Sequence, residues 1–179
     1  MTAQIHDSVF YDGADYSLVG VGGAGLFDPA EHGLAVRMIH TACWRGYICG
    51  YTVAEKELFL TSLQVGMDDP PAKLFGARVQ TGSGTVYAPI REPVPFTGGL
   101  LLGAGFLREL YVHMGFHPAW KYERVVELLF DNGKLTAAHD RSAAMAERRS
   151  AQGSLQPTDP RDAKDWIETA FDRNYDSPV

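Results

Sequence analysis

The run Tyr111-Val112-His113-Met114-Gly115-Phe116-His117-Pro118-Ala119-Trp120-Lys121-Tyr122 gathers two imidazoles, four aromatic rings and a lysine around one glycine and one proline. Imidazole exchanges protons near neutral pH and ligates metals, and aromatic rings form stacking walls for a ligand. Such side chains also fill cores, and no complete catalytic motif accompanies them. The run marks where to look without naming an activity.

A metal centre needs a third and fourth ligand beyond His113 and His117. The chain offers His40, Cys43, Cys49, His139 and Asp140 by type, with no spacing that selects among them. The helical metalloprotease pattern requires glutamate directly after the first histidine, where Met114 stands. No metal and no cofactor is therefore expected, and the histidines read as surface or hydrogen-bonded core groups. Nucleophilic catalysis by Cys43 or Cys49, with His40 or His113 as base, is opposed by the apolar strand context, which favours an inert thiol. Ser83 lacks the strand, elbow and helix that a hydrolase serine needs, because a proline-rich extended segment follows it.

The spelling Gly20-x-Gly22-x-x-Gly25 matches a dinucleotide loop, but Asp28-Pro29 and Gly33 leave no room for the helix that faces a pyrophosphate. A loop with Asp28 capping a short helical turn that has Pro29 in its first position is expected instead. Acidic pairs such as Asp68-Asp69 lie in polar surroundings and read as solvated. Arg45 lies between Trp44 and Tyr47, so it can stack on a ring or clamp an anion, with stacking preferred. Lys121, between Trp120 and Tyr122, presents the same choice.

Short runs of Val, Ile, Leu, Phe and Tyr separated by glycine and proline predict strands. They fall near residues 9–11, 16–21, 36–43, 47–53, 58–65, 79–88, 99–106, 125–130 and 135–140. Asn132-Gly133 predicts a tight hairpin between the last two, since both residues tolerate positive φ. The stretches 36–43, 47–53 and 58–65 read as three consecutive antiparallel strands. Alternation in the middle one puts Tyr47, Cys49, Tyr51 and Val53 on one face. Residues 107–116 carry helical spacing, and a short helix would set His113 and His117 one turn apart. Residues 142–150 predict a helix, 151–158 a linker, and 159–175 an amphipathic helix that docks through Trp166, Ala170 and Phe171.

With 179 residues and 45% apolar content, the chain can build a single core and is not expected to be disordered. A net charge of −6 without a basic block argues against nucleic acid as a partner. No apolar run approaches the roughly 18 residues of a membrane span, and residues 1–9 lack a basic region followed by an apolar one, so neither secretion nor membrane insertion is expected. A cytoplasmic protein with two reduced cysteines is the expectation; only a facing hairpin would let Cys43 and Cys49 pair.

Together these readings predict a mainly β (α+β) protein. Its body, residues 1–150, is an antiparallel curved sheet or partly closed barrel of about eight strands, followed in 151–179 by a linker and helix on the same body. Barrels of this size hold a ligand inside or at the mouth. The candidate lining is Trp44, Arg45, Tyr47, Tyr51, Phe106, Tyr111, His113, His117 and Trp120. The leading function is noncatalytic binding of a small apolar or aromatic molecule. The alternatives are an acidic interaction or immunity-type inhibitor that covers a basic protein partner, and a small enzyme using histidine and cysteine. Oligomeric state is not legible.

Overall fold

A computed structural model describes residues 2–81, 84–151 and 173–175 of the chain. Eleven strands form one sheet: β1 (Ser8–Tyr11), β2 (Ala14–Ala24), β3 (Tyr47–Ala54), β4 (Glu57–Val65), β5 (Lys73–Leu74), β6 (Ala77–Thr81), β7 (Thr85–Tyr87), β8 (Glu92–Pro93), β9 (Thr97–Phe106), β10 (Tyr122–Asp131) and β11 (Lys134–Asp140). Helix α1 (Ser142–Ala151) follows. Seven strands, in the order β11-β10-β9-β2-β1-β3-β4, close into a barrel where Lys134 of β11 pairs with Glu57 of β4. The remaining short strands extend the wall from β4.

Local chemistry explains the hairpins. Four two-residue turns place both central residues at positive φ, namely Asp12-Gly13, Glu55-Lys56, Phe75-Gly76 and Asn132-Gly133. That geometry matches the right-handed twist of the strands it joins. Irregularities in register at Leu18/Gly20, Gly50/Tyr51 and Leu129/Phe130 insert extra residues and bend the wall toward closure.

Alternation then sorts the faces. Val9, Leu18, Cys49, Tyr51, Leu60, Leu63, Leu100, Leu102 and Leu128 belong to one buried cluster inside the barrel. Leu101 and Val125, of opposite parity on their strands, form a second cluster with Val19, Ala119 and Tyr122 on the outer wall. Helix α1 covers that outer face. Arg149 donates from Nε to the Trp120 carbonyl (2.7 Å) and from Nη2 to the Tyr122 carbonyl (2.8 Å). Arg141 holds the buried Glu127 carboxylate from Nε at 2.9 Å.

The glycines of the dinucleotide-like spelling have a packing role. Strand β2 continues through them to Ala24, and Gly22 and Gly23 pair with Gly99 and Gly98 of β9. A Cβ on Gly98 would lie 2.1 Å from the Gly22 carbonyl oxygen, and one on Gly23 2.2 Å from that of Thr97. The two backbones meet too closely for any side chain.

Four sequence expectations change. Residues 79–88, read as one strand, hold parts of β6 and β7, which pair antiparallel with each other. Residues 36–43 are not a strand: Arg37 N–H donates to Gly66 O (2.8 Å) and Cys43 N–H to His40 O (2.8 Å), so the segment crosses the ends of β3 and β4 and turns. The neighbour of β3 is instead β1, in parallel register from Ser8↔Gly50 to Phe10↔Thr52, the one parallel pair in an otherwise antiparallel barrel. Residues 107–116 hold only a 3-10 turn at Arg108–Leu110, which no side chain caps. Asp28 does cap the 3-10 turn Pro29–His32, accepting from Ala30 N–H at 2.9 Å. Residues 173–175 are extended and bridge to Val21, so no helix reaches Tyr175. The linker, Trp166, Ala170, Phe171 and Ser83 lie outside the described residues.

Gly98→Ala is expected to lower unfolding free energy by about 3 kcal/mol or more through backbone collision. Gly76→Ala, with open space around its Cβ, should cost about 1 kcal/mol from positive φ alone. Urea unfolding of the two variants measures the difference.

Candidate functional site

Asp7 shares the inward parity of Val9, so the chain carries a carboxylate into the barrel wall, where it is 2% exposed. Its oxygens are fully engaged. Arg45 grips both in a bidentate pair, Cys49 N–H donates at 2.6 Å, and Arg173 Nη1 donates at 3.0 Å. Burial would raise the Asp7 pKa, but the two guanidiniums and the amide prevail and hold it below the usual carboxylate range. Arg45 also stacks on Tyr47 (4.6 Å to the centroid) and lies near Phe116 (5.9 Å), while Arg173 stacks on Phe116 at 4.7 Å.

His6, one residue earlier, faces the other way. Strand β2 loses β1 as a partner beyond Ser17, and Asp7 O accepts the last bond, from Leu18 N–H at 2.8 Å. The Leu18 carbonyl meets His6 Nδ1 at 2.9 Å, and His117 N–H donates to His6 Nε2 at 3.2 Å. A carbonyl on Nδ1 and a donor on Nε2 fix the neutral tautomer protonated at Nδ1. Burial, opposed by the Leu18 bond and assisted by Arg173, moves the His6 pKa down to about 4. Farther along β2, Val21 N–H donates to Arg173 O (2.8 Å) and Tyr175 N–H to Val21 O (3.3 Å), so residues 173–175 take the place β1 has left.

A continuous series of rings extends from Arg45. Phe116 tilts on His6 (5.1 Å), His6 meets Tyr122 edge-on (6.4 Å), Tyr122 meets Phe106 (5.3 Å), and Phe106 lies 4.6 Å from His117. Tyr111 then covers His117 at 5.1 Å and meets His113 at 4.8 Å, with its hydroxyl 3.4 Å from His113 Nδ1. Tyr122 seats here because Gly103 of β9 leaves it room: a Cβ there would lie 2.7 Å from the ring.

His117 is the exceptional member. It is 7% exposed, and neither ring nitrogen has a hydrogen-bond partner among the described residues. Burial, and to a lesser degree the Lys121 charge, lower its pKa to about 4. A buried polar group left unpaired costs about 1–3 kcal/mol, so native chains retain few of them.

Of the nine sequence candidates, the fold brings Phe106, Tyr111, His113 and His117 into one cluster. Arg45 and Tyr47 lie at its border beside Phe116. The other three are elsewhere. Tyr51 is inside the barrel, and Trp44 is on an exposed turn at 45% exposure. Trp120 is buried beneath α1, with the Lys121 ammonium 5.3 Å from its ring. Reasoning from sequence missed His6, Asp7, Phe116, Tyr122 and Arg173. The legible signal was Asp7 itself, a carboxylate in register with the inward residues of a strand.

Cys43 and Cys49 are buried and unpaired, and burial pushes both thiols up, Cys49 well above the usual range. Neither is a thiolate nucleophile at neutral pH. No group of three His, Cys, Asp or Glu side chains able to hold a metal occurs among the described residues, and no described helix is long and apolar enough to cross a membrane. The class these observations define is a closed seven-stranded β-barrel with an imidazole and aromatic cluster on its outer wall. No known protein family, curated protein or solved structure matches the chain.

Asp7→Asn is expected to destabilise the fold by about 3–5 kcal/mol, because it leaves Arg45 and Arg173 facing an uncharged amide; calorimetry against the unsubstituted chain tests this. The pH profile has a defined sign. His6 and His117 have folded pKa values depressed to about 4 from 6.5, so their stabilisation is complete above pH 6.5 and is lost as pH falls toward 4. Each contributes a slope of up to about 1.4 kcal/mol per pH unit. Asp7, with its folded value below 3.8, adds to the loss only under more acidic conditions. His6→Asn keeps a donor for Leu18 O and removes the titrating nitrogen, so urea midpoints between pH 7 and 4.5 should fall less steeply in that variant.

Proposed function

We propose that this protein binds a small, largely apolar or aromatic molecule, without catalysis, at the outer-wall cluster around His117. The observation that carries the reading is the pair of unpartnered nitrogens on a buried imidazole, since a ligand supplying one donor and one acceptor removes that cost. Phe106 and Tyr111 supply walls of the kind that small-molecule sites use for contact area, with few polar groups for orientation.

The barrel interior supports the reading by elimination. An eight-stranded barrel is just wide enough for its own side chains to fill. In this seven-stranded one the inward Val9, Leu18, Leu60, Leu63, Leu100, Leu102 and Leu128 lie within a single buried cluster. The occupant belongs outside that core, beneath Tyr111, which is 44% exposed and follows an uncapped 3-10 turn. Displacing one surface tyrosine opens the way to His117. The fixed neutral tautomer of His6 and the raised thiols weigh against general-base or nucleophilic chemistry.

Native mass spectrometry of the full chain purified from cells tests the reading. The expected result is a noncovalent adduct of a few hundred daltons that is lost in His117→Leu, while that variant keeps or gains thermal stability. A bare chain, or an adduct indifferent to His117→Leu, overturns it.

A further inference from the structure

The edge of β2 beyond Ser17 is a slot with its complement in place. Residues 173–175 lie along it in parallel register, Asn174 opposite Val21. Val21 N–H donates to the Arg173 carbonyl at 2.8 Å, and the Val21 carbonyl accepts from Tyr175 N–H at 3.3 Å. A residue in an antiparallel ladder turns both main-chain groups to the same side, so Val21, opposite Leu100, turns none toward β9. The slot also reads side chains. Arg173 Nη1 donates to Asp7 Oδ2 at 3.0 Å, and its guanidinium stacks on Phe116. Two residues on, Tyr175 packs on the cluster of Val19, Leu101, Ala119, Tyr122 and Val125. Gly20 leaves room for it, since a Cβ there would lie 3.1 Å from the ring. Asn174, between the two, is exposed. Main-chain bonds supply the hold and alternate side chains the selection, which is how strand addition recognises an extended peptide.

Few contacts keep the complement there. It makes two main-chain bonds, one of them long, and segments held in that way open before the core does. When it leaves, Arg45 still grips Asp7 in a bidentate pair, so the buried carboxylate keeps a counter-charge. Residues 152–172 separate it from α1, a length of chain that spans at most about 70 Å. Every copy of the chain carries both the slot and the Arg-Asn-Tyr that fits it. Exchange of an identical element between two copies reproduces the contacts made within one, which makes it a low-cost route to a dimer. We infer that the β2 edge is a docking slot for an extended Arg-x-Tyr segment, and that a second copy of this chain supplies that segment by reciprocal exchange of residues 173–175. Within one molecule the connection holds the segment near its slot at a high effective concentration, so the exchanged pair gains as protein concentration rises.

Full-length variants that fail in complementary ways test the exchange. Val21→Pro removes the donor to Arg173 at a strand edge, where proline is tolerated, and leaves the segment intact. Tyr175→Ala removes the ring and leaves the slot intact. Gly20→Ala, whose methyl crowds the Tyr175 ring, is a second slot variant in case Val21→Pro does not fold. Sedimentation velocity and native mass spectrometry are expected to show a concentration-dependent dimer of the unsubstituted chain and monomers of each variant alone. A slot variant mixed with Tyr175→Ala should give a one-to-one heterodimer, because an intact segment then meets an intact slot. The capped tripeptide acetyl-Arg-Asn-Tyr-amide, in excess, should return the unsubstituted dimer to monomer. A chain that stays monomeric at every concentration, a dimer that survives the slot variants or the tripeptide, or a mixture without heterodimer overturns the inference. Binding of the tripeptide to Tyr175→Ala without any heterodimer also overturns it, by assigning the slot to a segment of another protein.

Discussion

A carboxylate held in the wall of a barrel is the constraint on which the rest depends. Asp7 sits where alternation demands an inward residue, among side chains that exclude water. An ionised group there is tolerable only with its charge and lone pairs satisfied together. Two distant parts of the chain meet that demand: the turn before β3 and the start of that strand, through Arg45 and the Cys49 amide, and the segment at 173 through Arg173. These ion pairs thereby tie together segments that are far apart in the sequence. Both guanidiniums rest on Phe116, which delivers the 111–117 segment to the same place.

His6 extends the logic from packing to the site. Because β1 is only four residues long, β2 would expose the Leu18 carbonyl where its partner ends. The imidazole takes that bond, and its second nitrogen receives the His117 amide. A side chain here performs the office of a strand, and it sets the backbone position from which the unpartnered ring of His117 projects. The inner core, the outer cluster and the site are consequently linked through two consecutive residues that point in opposite directions.

Much of the barrel was legible because its signals are local. Alternating apolar residues located β1 to β4, β9, β10 and β11, and Asn132-Gly133 marked the turn at which β10 reverses. Asp28 and Pro29 specified a helical turn in the same way. Closure was less legible, since the parallel pairing of β1 with β3 joins residues separated by a long excursion and leaves no mark in either strand. Residues 36–43 have strand composition, but Gly46 and Gly66 admit the Arg37 backbone across the sheet instead of beside it. In the cluster, the run 111–122 supplied Tyr111, His113 and His117, whereas His6 and Arg173 enter from opposite ends of the chain. No periodicity encodes that meeting. Trp44 and Trp120 have suitable rings, but the turn exposes one and α1 seals the other away.

The separation of Asp7 from its two cations also gives the chain a temporal order. A ribosome delivers residues from the N-terminus at about 5–20 per second, so the carboxylate emerges first, Arg45 soon after, and Arg173 only near the end of the described sequence. The hairpins can form locally as they appear. The ring cannot close until β11 arrives to meet β4, and such long-range pairing is the slow part of folding. During that interval Asp7 has one guanidinium rather than two, and the edge of β2 beyond Ser17 stays uncovered. The last residues described are therefore the ones that seal the first.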